Sequence, residues 1–150
     1  MSDFDPATFM NETITDSLDT EIIPCPVGEY LGVATKVDIN KWQKKDGSAS
    51  GLRLDITWEI QDENAKTLTG RDPLRVRQQQ MLDLKDDGSL DVSKGRNVGL
   101  GRIREALGLN KSGKPFAFSM IQGNMAKVLV KHRAGDNGQL YDEVSAITAP

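Results

Sequence analysis

The stretch "LRLDITWEIQ", residues 52–61, constrains the fold more than any other part of the chain. Leu52, Leu54, Ile56, Trp58 and Ile60 alternate with Arg53, Asp55, Thr57 and Glu59. A period of two belongs to a strand with one dry and one wet face, because successive side chains point to opposite sides of the sheet. A helix would scatter the same five apolar residues around its circumference. Trp58 is therefore expected in the core, and further strands must supply the rest of that core.

Other segments repeat the pattern. "EYLGVATKVDIN" reads as a strand with Leu31, Val33, Val37 and Ile39 inward and Tyr30, Lys36 and Asp38 outward. "RDPLRVRQQQMLDL" reads as a third strand, with Arg75, Arg77 and Gln79 on one face and Val76, Gln78, Leu82 and Leu84 nearer the other. A glutamine run is unusual on a core face, so a bulge or partial wetting is expected there. "DENAKTLTG", between the second and third strands, is expected as loop. "NMAKVLVKHRA" and "QLYDEVSAIT" form a hairpin about the turn "GDNG".

Only "NVGLGRIREALGLN" changes period. Val98, Leu100, Ile103, Ala106 and Leu107 recur at helical spacing, with Asn97 expected as N-cap and Gly108 as stop. The order is three strands, a helix, then two strands. That is the order of the OB-fold, so the expected class is mainly β: a five-stranded Greek-key barrel with one helix between strands 3 and 4.

An acidic N-terminal arm precedes this domain. Residues 1–21 contain Asp3, Asp5, Glu12, Asp16, Asp19 and Glu21 but no Lys or Arg. All 19 basic residues fall in 22–150, so that the body is net positive although the chain carries −3. Such asymmetry points to a nucleic-acid partner or to an acidic interaction tail. Phe9, Met10, Ile14 and Leu18 approximate helical spacing, as in a short amphipathic helix held against a partner. The prolines of "IPCPVGEY" end the arm, which assigns 1–21 to the arm and 22–150 to one domain. No apolar run reaches the roughly 20 residues of a membrane span, and the N-terminus is acidic where a signal peptide is basic; a cytoplasmic protein is expected.

Catalytic chemistry finds little support. One cysteine, Cys25, and one histidine, His132, supply neither a disulfide nor a transition-metal ligand set. Cys25 lies in a proline-bracketed linker and His132 in a strand between Lys131 and Arg133, so they do not form a nucleophile and base in the sequence reading. Gly95, Gly99 and Gly101 lack phosphate-loop spacing, and Asp86 and Asp87 before Gly88 fit a turn. Neither an enzyme, a metal nor a cofactor is expected.

Binding chemistry is better represented. An OB-fold receives single strands on the face of strands 2 and 3, flanked by the loops joining strands 1 to 2 and 4 to 5. The candidate cations there are Lys41, Lys44 and Lys45 in the first loop, Arg53 on strand 2, Arg75 and Arg77 on strand 3, and Lys131 and Arg133 before the last turn. Trp42 in "NKWQKKDGSASG" is the natural stacking platform, with Tyr30 and Tyr141 weaker ones. The alternative for Trp42 is packing back onto the barrel rim.

The stretches "IIPCPVGEYLGVATKV", "LRLDITWEI", "MLDL" and "GRNVGLGRIREALGLN", with the closing hairpin, resemble a family of bacteriophage single-stranded DNA-binding proteins. The resemblance implies sequence-nonspecific binding of single-stranded DNA in phage replication or recombination, within the cytoplasm of the infected host, and is compatible with a homo-oligomer. Many single-stranded DNA-binding proteins end in an acidic tail that recruits partner enzymes, whereas this chain carries its acids at the N-terminus. Asp3, Asp5, Glu12, Asp16 and Asp19 are accordingly expected to dock replication or recombination proteins or to occupy the cationic groove. The alternative function is an OB-like protein-interaction or structural module acting through that arm. An oligosaccharide-binding barrel lacks its cluster of exposed aromatics.

Overall fold

The computed structural model describes residues 5–150; Asp3 lies outside the described residues. Five antiparallel strands form one sheet: β1 (Gly28–Gln43), β2 (Ser50–Ile60), β3 (Arg75–Met81), β4 (Met125–Ala134) and β5 (Leu140–Thr148). Their spatial order is β3-β2-β1-β4-β5, so the sixteen-residue β1 pairs with β2 and, by its first half, with β4. No hydrogen-bonded ladder joins β3 to β5, and the sheet is not closed among the described residues.

The helices differ from expectation in number. The expected one is present as α3 (Val98–Ala106), between β3 and β4. The segment expected as loop between β2 and β3 instead forms α2 (Glu63–Thr69). Asp62 caps it, its carboxylate accepting the Ala65 N–H at 2.8 Å, and Gly70 ends it in the left-handed conformation. In the arm, α1 covers only Pro6–Met10, capped by Asp5, so Ile14 and Leu18 lie outside it. Asn97 occupies the N-cap position of α3 as expected, but its side chain makes no capping hydrogen bond. It sits at φ 52° and its side chain binds the backbone of Asp83 and Asp91, tying the start of α3 to the segment after β3.

The core follows β2. Leu54, Ile56, Trp58 and Ile60 are fully buried, and half-buried Leu52 packs against the same cluster. Asp55, expected outward and wet, is nevertheless 6 % exposed. On β1 the expected phase is reversed in the first half. Gly32 and Ala34 are buried while Leu31 is exposed, and an irregularity between Ala34 and Lys36 then turns Val37 inward. Space is tight there: a Cβ on Gly32 would lie 3.3 Å from Val128 and 3.5 Å from the Trp58 ring. The β1 glycine and alanine make room for the β2 tryptophan.

The glutamine run on β3 is regular, without the expected bulge. Gln78 is buried and accepts the Trp58 indole N–H at 2.9 Å. Gln80 packs where Gly99 of α3 leaves no Cβ, and Gln79 is exposed on the opposite face. A polar residue enters this core because the tryptophan needs an acceptor. Among the described residues no helix is long and apolar enough to cross a membrane.

Candidate nucleic-acid interface

Strand register places the outward residues of three strands on one surface, since directly paired residues share a face. One row runs Lys36, Thr57, Arg77; the next Asp38, Asp55, Gln79; the next Asn40, Arg53, Met81. Trp42, paired with Gly51, ends the face at the β1–β2 tip.

Four arginines gather beside this face, where β3 and β5 approach without pairing. A groove of about 650 Å³ there is lined by Arg71, Arg75, Arg77 and Arg133, together with Tyr141 and Gln79. Its arginines are not equivalent. Arg71 donates to Asp142 at 2.7 Å, and Arg133 lies 3.5 Å from Glu143. Arg75 and Arg77 form no ion pair among the described residues, although the charge of Arg77 reaches Asp55. These two guanidinium groups are the ones available to an anionic ligand without breaking a protein contact. The Arg133–Glu143 pair is a surface pair worth roughly 0–1 kcal/mol, which a phosphate can displace at little cost.

Arg53 differs from expectation. Its Nε and Nη2 fork both oxygens of Asp55 at 2.8 and 3.0 Å, and Asn40 donates to the same carboxylate at 2.6 Å. Burial raises the Asp55 pKa, but these hydrogen bonds and the charges of Arg53 and Arg77 outweigh it and hold the carboxyl below its usual range. The Arg53 charge is therefore neutralised in place by Asp55 on its own strand, and it is the Asn40–Asp55 hydrogen bond that ties β1 to β2 here.

The remaining candidates separate. Lys41 and Trp42 belong to β1 rather than to a loop, which is only Lys44–Ala49 between the strands. Lys41 pairs opposite Leu52 and so points away from the Trp42 face, while Lys44 and Lys45 stand exposed in the turn. Trp42 is half-buried, its indole lying over Gly51, and its Nε1–H finds no acceptor among the described residues. It thus packs on the rim while part of the ring stays open. Lys131 stands opposite Glu143, two pairs along from Arg133, and is not part of the groove lining.

Arg71 escaped the sequence reading because it follows a segment taken for loop. It donates to Ile23 O at 3.1 Å as well as to Asp142, whose carboxylate also accepts the Cys25 N–H at 2.8 Å. His132 Nε2 donates to Cys25 O at 2.7 Å, and Gln139 to Ile22 O at 2.8 Å. Residues 22–25 are thereby strapped to the sheet, and Cys25 is fully buried rather than part of a loose linker. Burial and the nearby Asp142 charge push its thiol up to about 11, which leaves it poorly nucleophilic at neutral pH. No group of three or more His, Cys, Asp or Glu side chains suited to a metal occurs among the described residues.

Comparison with protein-family models gives no match, and none of the curated proteins matches the chain.

Proposed function

We propose that this protein binds single-stranded DNA without sequence preference, on the outer face of β1–β3 and in the arginine groove between β3 and β5. The observation that carries the reading is the convergence of Arg71, Arg75, Arg77 and Arg133 beside Tyr141, with Arg75 and Arg77 free of ion pairs among the described residues. Arginines along a groove neutralise successive phosphates, and aromatic rings hold unstacked bases. The strand order, with β1 pairing both β2 and β4 and a helix between β3 and β4, is the order expected of an OB-fold, and β3 approaches β5 without pairing. A phage replication or recombination role in the host cytoplasm, suggested by the sequence resemblance, accords with this reading.

Trp42 fits as a platform at the far end of the face. Its seat on Gly51 leaves a buried N–H unpaired, a cost of roughly 1–3 kcal/mol, and stacking on a base is worth roughly the same. The ring can therefore exchange one contact for the other.

The test is fluorescence anisotropy of labelled oligo-dT, with matched duplex DNA and RNA as competitors. The wild type is expected to bind oligo-dT in preference to duplex, and Arg75→Ala/Arg77→Ala to weaken binding at least about tenfold, from the loss of two charge-assisted contacts. Unchanged affinity in the double variant would remove the groove from the site.

A further inference from the structure

We infer that Arg71 couples the arginine groove to the strap at residues 22–25, so that a phosphate bound in the groove loosens the root of the acidic arm. The inference rests on the reading of that groove as an anion site. Arg71 lines the groove beside Arg75, Arg77 and Arg133, yet it also holds the strap. Its Nη2 serves two acceptors, Ile23 O at 3.1 Å and Asp142 Oδ2 at 2.7 Å. Its Nε is buried and finds no acceptor among the described residues. The resting guanidinium thus keeps one donor unpaired while crowding two acceptors onto another nitrogen. A phosphate presents several acceptor oxygens, and a turn of the side chain into the groove would pair the idle donor.

The strap depends on that same guanidinium. Ile22 and Ile23 are 58 and 57 % exposed, so their side chains anchor it weakly. Polar contacts secure it instead: Gln139 donates to Ile22 O, Arg71 to Ile23 O and His132 to Cys25 O, and the Cys25 N–H donates to Asp142. Withdrawing Arg71 removes the contact at Ile23 outright. It also weakens the one at Cys25, because Asp142 Oδ2 is the oxygen that Arg71 and the Cys25 N–H share. Ligand and strap therefore compete for one side chain, and by linkage a closed strap lowers ligand affinity by the same factor as bound ligand favours opening.

Cys25, fully buried beneath these contacts and the only cysteine of the chain, reports the state of the strap. The experiment follows its modification by an uncharged maleimide in the full chain, with and without saturating oligo-dT at matched salt, while anisotropy of the labelled oligonucleotide reports binding. Bound oligo-dT is expected to speed labelling about tenfold, the increase in local opening that loss of one charge-assisted hydrogen bond produces. Arg71→Ala is expected to label at the faster rate without oligo-dT and to gain nothing further from it. Oligo-dT that binds the wild type without speeding labelling would overturn the coupling and leave the groove reading intact, a comparison that needs no substitution. An Arg71→Ala protein that labels as slowly as wild type would also overturn it, and failure of oligo-dT to bind at any salt would remove both the coupling and the reading on which it rests.

Discussion

Replacing Gln78 with leucine isolates the one polar contact at the centre of this core. The Trp58 indole N–H points at Gln78 Oε1 at 2.9 Å, Trp58 is fully buried, and Gln78 is 5 % exposed. Leucine fills similar space but accepts nothing, so the indole N–H is left unpaired away from water. That omission costs roughly 1–3 kcal/mol, against a fraction of a kilocalorie regained from the added apolar surface. For a chain of this length the net loss corresponds to a fall in Tm of about 2–4 °C per kcal/mol. Urea unfolding followed by far-UV circular dichroism would show a lower midpoint with an unchanged slope. Adding Trp58→Phe supplies the control: with the donor also gone, the double variant loses less than the sum of the two single losses. A Gln78→Leu protein as stable as wild type, or additive losses in the cycle, would refute this account of the glutamine run.

Two further predictions concern buried ionisable groups. Cys25, with its thiol near 11, has only about one thiolate in a thousand at pH 8, so an aromatic disulfide reagent should label it slowly in the native protein and rapidly in guanidinium; fast native labelling would contradict its burial. Asp55, held below its usual range in the fold, contributes stability that is present above the ordinary carboxylate value of about 3.9 and fades as pH falls through the lowered one. Asp55→Asn should therefore be less stable than wild type at pH 7, with the gap in urea midpoint narrowing below about pH 4; a gap independent of pH would show that the charge is not what Arg53 and Asn40 hold.

How much of this was readable in the sequence varies by element, for physical reasons. The β2 strand and Trp58 were legible because a half-buried strand writes its burial directly as alternation. The β1 phase was not, since hydrophobicity alone favours Leu31 and Val33, whereas Trp58 lies against Gly32 and its paired Ala34 on the inward face. A change of phase after Ala34 compounds the misreading. The α2 helix was hidden by its polarity, although Asp62 and Gly70 were its start and stop signals. Arg75, Arg77 and Arg133 were found as outward cations of strands. Arg71 was missed because its value arises from a distant partner, Asp142 on β5. Arg53 was overvalued for a related reason: alternation reports which face a side chain takes, but not the carboxylate two residues away that neutralises it.

The most direct test of the central claim is the salt dependence of oligo-dT affinity. Each phosphate neutralised on a single strand contributes about 0.7 to the slope of log K against log salt. Wild type is predicted to give a steep negative slope, and Arg75→Ala/Arg77→Ala a slope shallower by about 1.4, the loss of two phosphate contacts. A wild-type affinity indifferent to salt, or a double variant with the wild-type slope, would contradict phosphate binding by this groove.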